Sequence, residues 1–556
     1  MLRYFVRQKW SVLIFVVLII ADPLLTARLN FMARDLFDSV GLGSPMDTIL
    51  TILTFIFILW VLKRVLTFFI SVTRAYIMKN LKIDLKYRSF RGVMKQDVSD
   101  FSHKDSGDYI SLLTNDVNIL ENMYFSRIIN LMFDVSRIVI LGASFFVLER
   151  TIATAIFVVG IIAMIIPLVF QKYTSEKNLK YSQTLSVFTQ KIKEFFIAYP
   201  TIKNYAVENE IISKFDDENT TVEETKFEAD YALALANAFG AFFAWFMQFV
   251  AVGVGIFLVM DGRTTIGTVI AAQAFASDMG LPLQTFVQQL NSIRSVRAIV
   301  KKMKAFSESD FNSQAHGQAE NSQSGDLTFN NVNLKFNGTV IIENFSFKFE
   351  SGKKYLVIGR NGAGKSSLFK LIKKSFNGYS GEIRLGDVDI RSMSSDQISQ
   401  QVSYLRENVS LLSGMVKDNI TLYRTCDDGD IEKAIKQAQV NIDVQRNVQG
   451  DGLNISSGEQ RRIEIARSLL NSANVLVFDE VVSTLDIETA YEIEKLALTL
   501  SEKTVIFVSH NFSGKLVKKY DEILLMQDGQ LVAHGSYDEL LESNAYFRRI
   551  FEIKMG

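Results

Sequence analysis

Six apolar stretches of about bilayer length lie before residue 300, two long basic stretches interrupt them, and a glycine-rich phosphate-binding loop follows at residue 359. Together these predict a two-domain membrane protein: an all-α six-helix transmembrane domain with long cytoplasmic helical extensions, joined to an α/β P-loop NTPase domain. Composition sets the boundaries at 1–306 for the transmembrane domain, 307–325 for a linker and 326–556 for the nucleotide-binding domain.

The chain of 556 residues balances 60 Lys and Arg against 60 Asp and Glu, so no excess of basic charge points to nucleic acid as a partner. Cys426 is the only cysteine, which excludes an internal disulfide framework and fits a reducing compartment.

The spans read at about 11–30, 47–70, 128–148, 151–170, 236–260 and 265–293. Each approaches the roughly 20 residues a bilayer requires. Arg3, Arg7 and Lys9 ahead of the first resemble a signal-peptide start. The run has no small-x-small cleavage site and more spans follow, so it reads as a span. The sixth is the least apolar, and Gln273, Ser277, Asp278, Gln284 and Gln288 suggest a face turned to water.

Lysines and arginines set the orientation. Arg74, Lys79, Lys82, Lys86, Arg88, Arg91 and Lys95 follow the second span, and Lys172, Lys177, Lys180, Lys191 and Lys193 follow the fourth. The connections Glu149-Arg150 and Asp261-Gly262-Arg263 are short and nearly neutral. Both termini and both long loops are therefore expected in the cytoplasm, in a prokaryotic inner membrane. Helical spacing of Tyr76, Ile77, Leu81 and Leu85, and of Phe195, Ile202 and Tyr205, makes the loops continuations of the spans. They would turn near 105–108 and 208–210. A pair of small soluble subdomains is the competing reading.

Charges inside the spans cost about 2.5–3.5 kcal/mol each at mid-bilayer. Asp22, beside helix-breaking Pro23, and Asp278 are expected to face a polar cavity. Asp134 and Arg137 are either part of that cavity or a local i, i+3 pair. Lys63 and Arg64 fit the level of an interface.

Residues 307–325 are rich in Ser, Gln, Asn and Gly, which reads as a flexible connection. Alternation over 327–336 and 341–349 predicts two strands of a hairpin-like edge sheet. The run Tyr355-Leu356-Val357-Ile358 predicts a buried strand, and the loop Gly359-Arg360-Asn361-Gly362-Ala363-Gly364-Lys365-Ser366 opens into a helix beginning with Ser367. That context gives the loop its chemistry. Backbone amides cradle phosphates, Lys365 reaches the outer phosphates, and the Ser366 hydroxyl can ligate Mg²⁺. The strand Val475–Asp479 ends in Asp479 and Glu480, suited to holding Mg²⁺ and to orienting water respectively. His510 follows a buried strand at 504–509, where ligands bind in such sheets. Ser456 caps a helix expected around 463–470, and with the amides near Gly458 it makes a second anion-binding helix end.

These residues together resemble the ATP-binding cassette (ABC) transporters, specifically bacterial exporter-type half-transporters, over essentially the whole chain. Gly359–Ser366 is similar to the Walker A loop, and Val475–Asp479 with Glu480 to Walker B and its catalytic glutamate. Ser483-Thr484-Leu485-Asp486 looks like the D-loop, and His510 like the switch histidine. Phe336 falls where the family stacks an aromatic ring on adenine, and Thr114-Asn115-Asp116 resembles a recurring exporter sequence. The signature motif departs from its usual form: Ile455-Ser456-Ser457-Gly458-Glu459 carries Glu459 in the glutamine place and Ser457 in the first glycine place. Tyr404-Leu405-Arg406-Glu407-Asn408 carries Arg406-Glu407 where the family has Pro-Gln, so Glu407 is expected to bind Mg²⁺ more strongly.

The resemblance implies an ATP hydrolase that exports an amphipathic solute (peptide, lipid or hydrophobic small molecule) by alternating access of a dimer. Each ATP would lie between one Walker A loop and the other chain's signature loop, with Asp486 beside it. Catalysis falls to Glu480 and His510. Binding falls to Phe336, Gly359, Arg360, Asn361, Gly362, Ala363, Gly364, Lys365, Ser366, Ser367, Ser456, Ser457, Gly458 and Glu459. Mg²⁺ falls to Ser366, Glu407 and Asp479. A homodimer is favoured, with a heterodimer kept by Glu407. No protease-like segment precedes the first span, so leader cleavage is not expected. An ATP-gated channel or regulator on the same scaffold is the alternative.

Overall fold

The computed structural model describes residues 3–96, 98–102, 106–307, 325–336, 338–376, 378–406, 409–471, 473–483, 485–510 and 513–555. They divide into two units, Met1–Met94 with Ser106–Ser309, and Lys95–Asp105 with Asp310–Gly556.

The first unit is helical. Its long helices are α1 (Lys9–Gly41), α2 (Met46–Met94), α3 (Ser106–Leu148), α4 (Arg150–Ile197), α5 (Glu208–Met260) and α6 (Ile266–Ser295), followed by α7 (Arg297–Ser307). At 1.5 Å per residue, α2, α4 and α5 each run roughly 70–80 Å, more than twice the hydrocarbon thickness. The spans therefore do continue as extensions, and no strand forms in this unit among the described residues. The first expected turn lies partly outside the described residues, and α3 begins at Ser106. The second holds a short helix, Tyr199–Tyr205, closed by Ala206 in the left-handed region at φ 52°. Among the described residues, α1, α2, α3, α5 and α6 are long and apolar enough to cross a membrane; α4 contributes a shorter apolar segment, Arg150–Ala163.

Side chains explain how these helices start and pack. Glu149 caps α4 by accepting from the Thr151 amide at 3.1 Å, and Thr265 caps α6 by accepting from the Thr268 amide at 3.2 Å. Asp38, near the end of α1, takes the Gly267 amide at 3.0 Å and the Thr265 hydroxyl at 2.9 Å. The core gathers Leu141, Phe145, Ile156, Met247, Phe275 and Met279, with Phe145 stacked on Phe275 at 5.3 Å. Gly92 of α2 lies so close to α7 that a Cβ there would stand 1.9 Å from the Phe306 carbonyl oxygen.

The intramembrane charges are resolved differently from expectation. Pro23 has no N–H, so the Ile19 carbonyl loses its helical donor, and Ser136 of α3 fills the gap at 2.7 Å. Asp22 is buried and takes Arg137 Nη2 at 2.9 Å and Nε at 3.2 Å. Asp22 thus closes an interhelical ion pair rather than facing a cavity. Asp134 and Arg137 are not an exclusive local pair, because Asp134 accepts from Thr285 of α6 at 2.9 Å. Arg64 lies over the Trp60 ring at 4.9 Å on an uncovered face, an arrangement suited to an interface.

The second unit is α/β. In chain order its principal elements are β1 (Leu327–Phe336), β2 (Thr339–Phe349), β3 (Lys354–Gly359), α8 (Lys365–Ile372), β4 (Tyr379–Leu385), β5 (Val402–Leu405), α9 (Ser457–Leu470), β6 (Val475–Asp479), α10 (Ile487–Thr499), β7 (Thr504–Val508), β8 (Glu522–Gln527) and β9 (Gln530–Gly535). Strands β1 and β2 pair antiparallel with Leu327 opposite Phe349, and β1 also pairs β4, so that β2 is an edge of this smaller sheet and β1 is interior to it. The large sheet runs β9-β8-β3-β7-β6-β5, parallel except for the β8/β9 pair. Strands β3, β6 and β7 are buried along nearly their whole length, as parallel strands covered on both faces must be.

Candidate functional site

Because β3, β7 and β6 are parallel neighbours, their C-terminal ends share one edge of the sheet. That edge is where a doubly wound sheet binds ligands. It brings together the loop after Gly359, the carboxylates Asp479 and Glu480, and His510.

The loop Arg360–Gly364 turns directly into α8. Gly364 precedes the first helical residue at φ 86°, a left-handed conformation that places the first amides of α8 around the loop. A Cβ at Gly364 would also stand 2.6 Å from the Ile341 carbonyl oxygen. Ala363 is buried and its amide donates to the Arg360 carbonyl at 3.1 Å. Lys365 is buried and its ammonium donates to the Gly359 and Arg360 carbonyls, each at 3.0 Å. Burial pulls this ammonium below the usual lysine range, while Glu480 and Asp479 oppose the shift. Any anion bound in the loop would favour the charged form further. Arg360 reaches the Tyr546 ring at 5.9 Å, and Phe336 stands at the end of β1, edge-on to Phe376 at 5.8 Å.

Ser366 and Asp479, 113 residues apart, meet: the Ser366 hydroxyl donates to Asp479 Oδ1 at 2.6 Å. Tyr404 donates its hydroxyl to the other oxygen, Oδ2. Burial and then Asp479 push the Tyr404 phenol far above its ordinary value, so it remains a donor. Tyr404 carries no role in the sequence reading; its place at the end of β5, beside β6, is what aims it at Asp479. Glu480 adopts φ 52°, and His510 Nδ1 lies 3.3 Å from Glu480 Oε1. The Ser483 hydroxyl donates to the Glu480 carbonyl at 2.8 Å, which fixes the turn behind it. Glu407 and Thr484 lie outside the described residues.

The residues present fit Mg²⁺. Among the described residues no group of three or more His, Cys, Asp or Glu gathers, so the chain offers one carboxylate and one hydroxyl at the loop. Mg²⁺ is bound in this way, with waters and substrate phosphates completing its octahedron.

The second anion-binding helix end has an occupant of its own. Helix α9 starts at Ser457, six residues earlier than expected, because Ser456 and Glu459 form a complete capping box. The Ser456 hydroxyl accepts from the Glu459 amide at 3.3 Å; Glu459 Oε2 accepts from the Ser456 amide at 2.9 Å and hydroxyl at 2.7 Å. Burial would push this carboxyl up, but the bonds from Ser456, with Arg446 nearby, hold it below the usual range. A negative charge therefore sits on the amide end of α9. Helix α9 packs on α10 and β5, and no hydrogen bond joins its first turn to Gly359–Ser366 among the described residues. Asp486 caps α10, accepting from the Thr489 amide at 2.9 Å, so its carboxylate serves the helix.

Comparisons with known proteins agree with this architecture. A family profile described as the ABC transporter transmembrane region matches residues 11–282, and one described as ABC transporter matches 342–483. The chain is 24% identical to the mesentericin-Y105 transport/processing ATP-binding protein MesD of Leuconostoc mesenteroides, over 98% of this chain and 77% of that protein. It is 23% identical to an ATP-dependent lipid A-core flippase of Syntrophus aciditrophicus, over 95% of this chain and 90% of that protein. Its fold matches a bacterial Atm1-family ABC exporter with ATP bound, at a TM-score of 0.84 and 18% identity, covering 99% and 98% of the two chains. A helical membrane domain fused to a cassette whose phosphate loop, paired carboxylates and histidine share one sheet edge thus belongs to the ABC transporter family, as an ATP-binding, ATP-hydrolysing exporter.

Proposed function

We propose that the chain is half of a dimeric exporter that moves an amphipathic solute outward across a cytoplasmic membrane, with both termini in the cytoplasm. The observation that carries the catalytic assignment is the meeting of Ser366 with Asp479 and of Glu480 with His510 at one sheet edge. The Gly359–Ser366 amides and Lys365 hold the phosphates, and Phe336 would stack on the base, a role its exposure at the end of β1 supports. Ser366 and Asp479 would hold Mg²⁺, which neutralises phosphate charge when bound. Glu480 accepts a proton from the attacking water. His510, hydrogen-bonded to Glu480, keeps that carboxylate oriented and can donate toward the developing charge. Ser456 and the amides of Ser457 and Gly458 complete the site from the second chain.

The test is Glu480→Gln. ATP binding should persist while turnover falls by about a hundredfold or more. Normal turnover in that variant would remove Glu480 from the chemistry. Uphill, ATP-dependent uptake into inside-out vesicles separates an exporter from a gated channel, which would carry solute only downhill.

A further inference from the structure

We propose that Asp278, one turn before Pro282 of α6, is a recognition site for a cationic group on the transported solute, so that the preferred cargo is an amphipath bearing an ammonium or guanidinium. This rests on the exporter reading and names the substrate class for it.

Asp22, Asp134 and Asp278 lie well inside the spans of the first unit. Asp22 is closed off by Arg137 through two hydrogen bonds. Asp134 is buried, tied to Thr285, and three residues from Arg137 on the same helix. Asp278 differs. Its carboxylate accepts from Asn30 Nδ2 at 3.0 Å, a neutral amide, and no cation stands within ion-pair distance of it among the described residues. Arg28 is exposed on α1 but two residues from Asn30, about 200° around the helix axis from it. A carboxylate left without a cation at this depth is costly, and such residues mark ligand paths.

Pro282 weakens the helical ladder one turn beyond Asp278. Pro282 lies inside α6 and has no N–H, so the Asp278 carbonyl loses its donor four residues on. In α1, where Pro23 withholds the same bond, Ser136 supplies the missing donor. No side chain does so at Asp278 among the described residues. The Asp278 carbonyl therefore lacks the i+4 bond that its neighbours along α6 can make.

The surroundings fit an organic cation. Gln273, Ser277 and Leu281 are exposed and share a stripe of α6 with Asp278 and Gln284, while the opposite face packs into the core. The stripe is mostly polar and carries Leu281 as an exposed apolar side chain. A metal ion would need several oxygen ligands, and no group of three or more His, Cys, Asp or Glu gathers among the described residues.

The experiment uses the full chain reconstituted with its dimer partner. Three probes of equal apolar size carry a quaternary ammonium, a neutral hydroxyl or a sulfonate. ATP-dependent uptake gives a half-maximal concentration for each. The wild type should favour the ammonium over the neutral probe by about tenfold. Asp278→Asn should bring that ratio near one, and Asp278→Glu should keep it. No ammonium preference in the wild type, or an intact preference in Asp278→Asn, overturns the proposal. Should Asp278→Asn not assemble, Ser277→Cys with Cys426→Ser supplies a second reading. Maleimide labelling of residue 277 should be blocked by the ammonium probe and not by the neutral one. A cysteine that cannot be labelled, because a second chain covers this stripe, also overturns it. Loss of all uptake in Lys365→Ala tests the ATP-driven reading separately.

Discussion

Glu480 holds a left-handed backbone at φ 52°, a conformation costly for a non-glycine residue and often kept at reaction centres. Its amide donates to the Val508 carbonyl at 2.9 Å, tying it to the strand that delivers His510. Glutamine preserves that backbone, so loss of turnover in Glu480→Gln would report the carboxylate alone. At the other helix end, Glu459 offers a different test. Glu459→Gln keeps the capping box but removes the charge from the amide end of α9. The ATP concentration for half-maximal hydrolysis should fall about two- to fivefold, the scale of a charge at a helix terminus. An unchanged value would mean that Glu459 swings away before the phosphate arrives. Tyr404→Phe removes one of the hydroxyls on Asp479, and its cost should appear as a raised Mg²⁺ requirement in steady-state ATPase assays.

At the level of elements, what the sequence reveals depends on how local the cause is. The phosphate loop was legible because glycine spacing and a buried strand lie within a dozen residues of each other. The antiparallel pair β1/β2 was legible because alternation is a property of each strand alone. Arg137 with Asp22 was not, since the partners are 115 residues apart and periodicity gives a face but not its neighbour. The early start of α9 was missed for a simpler reason: the polar first turn, Ser457 to Arg462, carries no apolar periodicity, and only the reciprocal bonds of Ser456 and Glu459 make it helical. Close approach is similarly silent in sequence. Gly92→Ala would drive a methyl into the Phe306 carbonyl of α7, and should lower stability by about 3 kcal/mol, read as a fall in the melting temperature of the purified protein.

For the whole molecule, dimerisation turns a single-chain defect into a statistical one. In a homodimer needing two intact loops, an equal mixture of wild-type and Lys365→Ala chains leaves about a quarter of dimers active, because pairing is symmetric and random. A linear fall to one half would instead indicate a second, different chain or independent sites. Pro23 of α1 bears on how such a dimer moves. Ser136 grips the Ile19 carbonyl from α3, and three residues along α1 the carboxylate of Asp22 grips Arg137. A hinge whose loosened joint is bolted to its neighbour cannot flex by itself. Helices α1 and α3 should therefore travel as one lever through the transport cycle. Spin labels on the two helices would keep a constant separation with and without ATP, and cutting the bolt with Ser136→Ala would broaden that distance before it altered anything at the cassette.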